Sequence, residues 1–141
     1  MTFLNKKIKK IKIKTYSNKS GKLLPLSFNK KLPINVKRVF FIYGKKNKVR
    51  GNHAHKKCSQ LFIPLLGKFI LRINTPNKKK ELILNTNSKT AILVPPKYWC
   101  SVKFFKNDSL LMVACDKYYD LKDYINNFEK YKKIFKKKWK Y

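Results

Sequence analysis

The sequence predicts an all-β protein, a jelly-roll barrel of short strands, followed by one amphipathic helix at the C-terminus. Short apolar runs alternate with turn residues at near-regular spacing, and after residue 119 the apolar spacing changes to three and four residues. At 141 residues, 43% of them hydrophobic, the chain suits one domain with a real core. We therefore expect a barrel over 1–119 and a helix over 120–141 packed on it.

The first strands are predicted from alternation and from apolar runs. Residues 8–13 alternate isoleucine with lysine, which is typical of a strand with one solvated face. A turn is expected at 18–21, a short strand at 23–28 and a strongly apolar strand at 36–43. The next strand, 49–55, carries two histidines and is examined below.

The later strands are separated by turn residues, and Gly67 is placed as a hairpin turn. This regular series is why a sandwich or barrel is favoured over an α/β fold. The predicted strands are 60–66, 68–74, 81–84, 90–94, 99–105 and 110–115.

The tail has the period of a helix. Asp120 is placed as its N-cap, lysines occupy its last turns, and its apolar stripe is expected to pack on the barrel or on a partner subunit. The stripe consists of Leu121, Tyr124, Ile125, Phe128, Tyr131 and Phe135.

The net charge of +30 is compatible with nucleic acid, an anionic membrane or a phosphorylated ligand. Only Arg38, Arg50 and Arg72 are arginines, whereas surfaces that read bases or grip phosphates favour the guanidinium. The lysines are spread evenly, and the abundance of Asn, Ile, Phe and Tyr indicates AT-rich coding. We therefore expect neither nucleic acid nor a membrane as a partner.

The acidic residues and the cysteines limit the possible catalytic chemistry and the possible cellular compartment. All six acidic residues follow the histidines, so catalysis by a carboxylate pair is not expected. The odd number of cysteines, three, favours free thiols in a reducing compartment over a disulfide framework. The N-terminal residues lack the continuous apolar run of a signal peptide, so the cytoplasm is the expected location.

The segment Arg50-Gly51-Asn52-His53-Ala54-His55-Lys56 is the most informative of the chain. Side chains two apart on a strand leave the same face, so both imidazoles should point together. The spacing resembles the first signature of the cupin barrels, but Gln60 and Cys100 stand where metal-binding cupins carry a glutamate and a third histidine. We therefore expect no metal and no other cofactor; the alternative is a zinc site of His53, His55 and Cys100.

The chain further resembles the sugar 3,4-ketoisomerases, small cupins. The resemblance extends from about Gly21 to about Tyr131. The residues that carry it are Lys37-Arg38-Val39, the histidine segment with Gln60, Pro95 to Trp99, Leu111-Met112-Val113, Asp116-x-Tyr118-Tyr119-Asp120 and Asp123-Tyr124.

This resemblance implies a metal-free isomerase. It would move the carbonyl of dTDP-4-keto-6-deoxy-D-glucose from C4 to C3 through an enediol. The resemblance also implies a 4,6-dehydratase before it, a pyridoxal-phosphate aminotransferase after it, and a role in surface glycans such as lipopolysaccharide. Related cupins are dimers, so we expect a homodimer whose half-polar N-terminal strand crosses to the partner's sheet.

The residues themselves agree with ketone transfer. His53 and His55 are the only histidines, and imidazoles can both remove and return a proton near neutral pH. The alternative is a pair of buried structural histidines. Which of the two would act as the base is not readable from the sequence.

The candidate substrate-binding residues are less specific. Arg38 and Arg50 are assigned to the pyrophosphate, since a guanidinium fork fits phosphate oxygens. Lys56 and Gln60 are weaker candidates for phosphate and sugar hydroxyls, and an aromatic ring could stack on the thymine. The aromatic candidates are Trp99, Tyr118 and Tyr119, and Tyr43 is a further candidate for substrate binding.

Three departures from the family pattern concern the site. Phe40 and Phe41 stand where relatives commonly carry tyrosines, Cys100 stands where they carry histidine, and Asn18-Lys19-Ser20-Gly21 lacks an arginine of the early turn.

Two rival functions remain open. A 3,5-epimerase of the same substrate class usually pairs its histidine with an aspartate, and no carboxylate precedes the histidines here. A non-catalytic module would bind sugar nucleotides or nucleic acid through its lysines. The configuration of the product at C4, galacto or gluco, is not encoded in any of these features.

Overall fold

Two five-stranded antiparallel sheets face each other and form the predicted jelly-roll barrel, which confirms the fold class. The computed structural model describes residues 7–139; the ends of the predicted barrel and helix, 1–6 and 140–141, lie outside the described residues. The strands are β1 (Lys9–Lys12), β2 (Tyr16–Asn18), β3 (Gly21–Leu23), β4 (Arg38–Gly44), β5 (Val49–His55), β6 (Gln60–Leu66), β7 (Lys68–Asn74), β8 (Lys79–Asn85), β9 (Thr90–Val94), β10 (Trp99–Phe104), β11 (Ser109–Cys115) and β12 (Tyr124–Ile125).

The strand order places the histidine strand in the second sheet. The first sheet runs β1-β9-β6-β11-β4 and the second runs β12-β5-β10-β7-β8, while β2 and β3 form a separate hairpin. The N-terminal strand pairs with β9 of its own chain, with Ile11 opposite Ala91. The edge that β1 pairs with is thus present in the same chain, and the crossing of this strand to a partner's sheet stays a prediction.

Most strands match their predicted bounds, but the strand expected at 23–28 is absent. Strand β3 ends at Leu23, and the following residues run irregularly across the outer face of the first sheet. Pro25 cannot donate a ladder hydrogen bond, and Leu24 and Leu26 bury their side chains without joining a sheet. Apolar side chains here indicate a cover over the sheet rather than a strand.

The barrel core lies between the sheets. Its centre includes Phe69 and Phe104, whose rings meet edge to face at 5.4 Å, with Leu71, Leu111 and Val113 around them. Burial of these side chains is the main stabilising contribution to the fold.

A second apolar cluster lies on the outer face of the first sheet. Leu32 and Ile34, from the irregular segment, pack there against Leu61, Ile63 and Leu93. The first sheet is therefore covered on both faces, which explains why β6 and β11 are almost continuously apolar.

The predicted tail helix begins later than expected. Asp120 caps a short 3₁₀ turn, Leu121–Asp123, and the next two residues form β12. The α-helix, α1, spans Phe128–Phe135, and its N-cap is Asn127, whose side chain accepts a hydrogen bond from the Lys130 amide. The helical spacing of 121–125 was misleading, because the open edge of β5 offers this backbone a strand partner.

The apolar face of α1 packs on the outer face of the second sheet. Tyr131 and Phe135 are buried against Trp99 and Ala54. The Tyr131 hydroxyl lies 2.8 Å from the Lys97 carbonyl oxygen and 3.0 Å from that of Asn74. Within residues 7–139, no helix is both long and apolar enough to span a membrane.

We expect Tyr131→Phe to lower the free energy of unfolding by about 1 to 2 kcal/mol, because two carbonyls lose the hydroxyl near them. Tyr131→Ala should cost about 3 to 5 kcal/mol, since it also removes a buried ring. The exposed Tyr16 provides the control: Tyr16→Phe should change stability by no more than about 0.5 kcal/mol. Urea unfolding measures all three, and an equal effect of the two Phe variants would contradict the assignment.

Candidate active site

The site is built on an irregularity in β5. Strand β10 pairs Val102 with Arg50 and Cys100 with His53, so Asn52 is an extra residue on β5. Its φ of +59° and the φ of +93° at Gly51 accommodate the bulge. A Cβ on Gly51 would stand 3.0 Å from the Cys100 carbonyl oxygen, so this close approach favours glycine.

The bulge decides which side chains enter the barrel. Arg50 and His53 are an odd number of residues apart, and a regular strand would place them on opposite faces. Because Asn52 is inserted, both share a face with the core residues Val102 and Cys100. His55 follows on the same face, and the rings of His53 and His55 lie 5.0 Å apart, as the spacing predicted.

His55 is held by a carboxylate. Its Nδ1 lies 2.8 Å from Oδ2 of Asp123, while its Nε2 is buried and has no hydrogen-bond partner among the described residues. The Lys57 amide donates to Oδ1 of Asp123 at 2.7 Å, which fixes the carboxylate. An imidazole whose Nδ1–H is engaged in this way presents Nε2 as a proton acceptor.

The carboxylate reaches His55 because β12 extends the second sheet. Tyr124 pairs with His55 and Ile125 with Ala54 across β12 and β5. Lys56 strengthens this docking: its amide donates to the Asp123 carbonyl at 2.9 Å, and its Nζ donates to the Lys122 carbonyl at 2.9 Å. The residue before β12 is thereby placed beside the imidazole.

Both histidines are neutral at neutral pH. Burial, followed by the neighbouring His55, lowers the pKa of His53 to about 4. Burial also lowers the pKa of His55, although the hydrogen bond and charge of Asp123 oppose that shift. The positive charge of Arg38 lowers the pKa of both. Neutral imidazoles are the form that can accept a proton.

Arg38 stands beside the histidines, and within residues 7–139 it forms no ion pair with a carboxylate. Both of its terminal nitrogens lie 3.4 Å from the Tyr124 hydroxyl, and one lies 3.6 Å from Sγ of Cys115. Its guanidinium is 5.4 Å from the ring centroids of Phe40 and Tyr119. Aromatic faces and a hydroxyl hold the guanidinium in place without neutralising its charge.

Arg38, His53 and Tyr124 line a cavity of about 520 Å³ that opens to solvent, whereas His55 lies behind this lining and is not part of it. No carboxylate lines it among the described residues, so its charge is set by two arginines. A positive cavity of this size fits an anionic ligand. Its lining comprises Arg38, Phe40, Phe41, Ile42, Tyr43, Arg50, Gly51, His53, Gln60, Phe62, Cys100, Ser101, Val102, Val113 and Tyr124.

The cavity contains several of the predicted site residues. His53, Arg38 and Arg50 line it, as do Gln60 and Tyr43. Gln60 is buried, with Nε2 3.9 Å from Cys115 Sγ, whereas Tyr43 is 78% exposed and stands at the mouth.

Three predicted binding residues lie outside the cavity. Trp99 is adjacent to Cys100 on β10 and so faces the opposite side, where it packs against Phe128 of α1; stacking on a base in the cavity is not supported. Lys56 holds the backbone before β12 instead. Tyr118 is exposed and away from the cavity, and it is the neighbouring Tyr119 that covers Arg38.

Sequence reasoning missed the roles of Asp123 and Tyr124. Both belong to a segment that resembles the ketoisomerases, but the helix assigned from residue 120 concealed them. Their strand pairing depends on the free edge of β5, which no local pattern reveals.

The predicted zinc alternative does not correspond to the geometry. Of the described residues, the set that brings three metal-binding side chains together is His55, Cys58 and Asp123, without His53 or Cys100.

The comparisons with known proteins identify the family. Residues 6–136 match the family model described as FdtA: WxcM-like, C-terminal. The chain is 32% identical over 130 residues to the TDP-4-oxo-6-deoxy-alpha-D-glucose-3,4-oxoisomerase of Aneurinibacillus thermoaerophilus, covering 92% of this chain and 93% of that protein. The chain belongs to the FdtA family.

Solved structures agree with this membership of the FdtA family. The sugar 3,4-ketoisomerase QdtA of Thermoanaerobacterium thermosaccharolyticum, in complex with TDP, superposes with a TM-score of 0.87 at 31% identity, covering 99% of this chain and 100% of that one. The RmlC epimerase of Mycobacterium tuberculosis superposes with a TM-score of 0.72 at 12% identity, covering 83% and 66%, and shares the fold alone.

Asp123, from the end of the chain, forms a histidine–aspartate pair with His55. The lack of carboxylates before the histidines therefore does not exclude an epimerase. The comparisons supply the better reason against one, since the sequence similarity is to ketoisomerases.

The lowered pKa of His53 predicts a stability change with pH. Between about pH 6.5 and about pH 4 the unfolded chain binds a proton at this histidine and the folded chain does not, so the free energy of unfolding should fall as pH is lowered through that window. In His53→Asn the fall should be smaller. Urea unfolding at about pH 7 and about pH 5 measures the fall in the wild type and in His53→Asn. The carboxyl groups titrate in both proteins, so their contribution cancels in the comparison. Equal slopes in the two proteins would contradict the burial of a neutral imidazole.

Proposed function

We propose that this protein is a 3,4-ketoisomerase that converts TDP-4-keto-6-deoxyglucose to the TDP-3-keto-6-deoxy sugar through an enediol. The observation that carries the proposal is the arrangement of two neutral imidazoles, one oriented by Asp123, beside the unneutralised charge of Arg38. The substrate is taken from the relative in Aneurinibacillus thermoaerophilus, whose name specifies it.

His55 is the proposed base at C3. The engaged Nδ1 and the unpartnered Nε2 support this role, since a carboxylate that accepts Nδ1–H fixes the reactive tautomer. Removing the C3 proton shifts its electron pair into a C3=C4 double bond. The electrons of the C4 carbonyl move onto its oxygen, and an enediolate forms.

Arg38 and Tyr124 are proposed to stabilise that oxyanion. The guanidinium donates to the phenol oxygen, which leaves the phenol hydrogen available to a ligand oxygen. A preoriented cation and hydroxyl in a partly buried site stabilise negative charge more than bulk water does.

His53 is the proposed proton relay. It lines the cavity, and its ring is 4.9 Å from the Tyr124 ring, so it can reach both oxygens of a sugar held there. The relay passes the proton of the C3 hydroxyl to the C4 oxygen as the C3 carbonyl forms, and C4 receives the proton held by His55 or one that has exchanged with solvent. Carbon, oxygen and hydrogen counts are unchanged, as an isomerisation requires.

Arg50 is proposed to bind the diphosphate. It lies on the cavity wall and is exposed, whereas Arg38 is half-buried beside the histidines. We therefore assign different roles to Arg38 and Arg50, although the sequence suggested the pyrophosphate as the ligand of both. Gln60 and Tyr43 remain candidates for the sugar hydroxyls and for the outer part of the nucleotide.

The biological setting is also proposed. A soluble cytoplasmic enzyme between a 4,6-dehydratase and a pyridoxal-phosphate aminotransferase, serving surface glycans such as lipopolysaccharide, suits this chemistry. A homodimer is supported by β4, which lies at a sheet edge and exposes Val39, Phe41 and Tyr43.

Replacing either histidine by asparagine should lower the isomerisation rate by on the order of a hundredfold or more. The two variants should differ in solvent exchange. His55→Asn should lose exchange of the C3 hydrogen in heavy water, whereas His53→Asn should retain it because the enediolate still forms. In the wild type, deuterium should appear at C4 of the product. NMR of the sugar reads all of these; near wild-type turnover in both variants would contradict the function, and retained C3 exchange in His55→Asn would contradict the assignment of the base.

The two arginines should separate kcat from nucleotide affinity. Arg38→Met should lower kcat by on the order of a hundredfold and leave TDP affinity nearly unchanged, because the guanidinium acts on charge that forms during reaction. Arg50→Met should weaken TDP binding by roughly tenfold or more with kcat largely kept. Calorimetric titration with TDP and steady-state kinetics measure both, and the reverse pattern would overturn the division.

A further inference from the structure

A cluster of metal-binding side chains lies directly behind the cavity. Nδ1 of His55, Sγ of Cys58 and a carboxylate oxygen of Asp123 all lie within 4.8 Å of one another. Cys58 is buried in the turn between β5 and β6 and does not line the cavity, and its thiol donates to the Ser59 carbonyl oxygen at 3.2 Å. The proposed isomerisation gives this cysteine no task.

The donor set suits zinc. Imidazole nitrogen, thiolate sulfur and carboxylate oxygen are the ligands of Zn²⁺ in proteins, whereas Ca²⁺ and Mg²⁺ prefer oxygen alone. The ionised Cys58 and Asp123 would neutralise the ion, so the buried site would carry no net charge from metal and ligands. Three protein ligands leave a fourth position for water.

The ligands need to move little. With bonds of about 2.0 Å to nitrogen and oxygen, tetrahedral zinc separates those two atoms by about 3.3 Å. Nδ1 and Oδ2 are now 2.8 Å apart, so they must separate by about half an ångström, and Sγ must approach by about 1.3 Å at most. The carboxylate starts from a fixed position, because the Lys57 amide holds its other oxygen.

Zinc at this place would alter His55 in a defined way. The neutral ring carries one proton, now at Nδ1 toward Asp123. A metal on Nδ1 transfers that proton to the buried, unpartnered Nε2, which can then no longer accept a proton from a sugar. The thiol proton of Cys58 is released to solvent when the thiolate binds the metal.

We propose that His55, Cys58 and Asp123 form an inhibitory zinc site. The metal would bind between His55 and Asp123, where their hydrogen bond now lies, and would stop catalysis. The inhibition rests on the proposed role of His55, whereas metal binding does not. The ligand set shares His55 with the positions at which the cupin pattern would place a metal, but it does not include His53, Gln60 or Cys100.

Cobalt tests the binding without substrate. Metal-free protein titrated with Co²⁺ should develop the near-ultraviolet charge-transfer band of a cobalt thiolate, which Zn²⁺ then abolishes by displacing the cobalt. Cys58→Ala should lose the band, and so should Cys58→Ser, whose similar volume guards against misfolding. Cys100→Ala is the matched control for a buried cysteine at the cavity and should keep it. No band in the wild type, a band retained in both Cys58 variants, or one lost in Cys100→Ala would overturn the site.

Turnover tests the inhibition. Stoichiometric Zn²⁺ should lower the wild-type rate by on the order of tenfold or more, and a chelator should restore it. Cys58→Ala should turn over at near wild-type rate and remain insensitive to the same zinc. Unchanged or increased wild-type activity, or equal inhibition of Cys58→Ala, would overturn the inhibitory role. A cobalt band in a protein with no isomerase activity would refute the proposed function and leave the metal site standing.

Discussion

Asn52 is an extra residue in the pairing of β5 with β10, and it resets the alternation of side chains between Arg50 and His53. Before the bulge and after it, inward positions are occupied by groups that a polar ligand needs, and Ala54 faces outward to receive α1. A regular strand would place Arg50 and the histidines on opposite faces of the second sheet. The inward position of Arg50, the pair of imidazoles and the surface on which α1 packs thus depend on one irregularity in the backbone hydrogen bonding.

The electrostatics of the site depend on a positive charge, that of Arg38, that no neighbouring carboxylate neutralises. Arg38 is held by aromatic rings, a phenol and a thiol rather than by a carboxylate, so its field extends to the imidazoles and lowers their pKa. Asp123 acts against that field at His55 alone. Two chemically identical side chains, 5.0 Å apart, therefore experience different surroundings, which is the usual basis for dividing a base from a relay.

Much of this arrangement could be predicted from local pattern. Period-2 spacing correctly put His53 and His55 on one face, and turn residues correctly delimited strands such as Val49–His55 and Gln60–Leu66. The same rule of alternation, applied to Cys100, would have excluded Trp99 from the cavity. What local pattern could not supply is strand pairing at a distance: the periodicity of 121–125 fits a helix, and only the open edge of β5 makes it a strand.

His55 and Asp123 are 68 residues apart in the chain, and the strands β6 to β11 lie between them. A ribosome therefore completes both large sheets, apart from β12, before it adds the carboxylate that orients the imidazole. A nascent barrel can collapse and bury its core while its histidine still lacks a fixed tautomer. Reactivity toward keto sugars thus emerges late in synthesis, when the final segment docks, and a chain that ends before Asp123 lacks the carboxylate that orients His55.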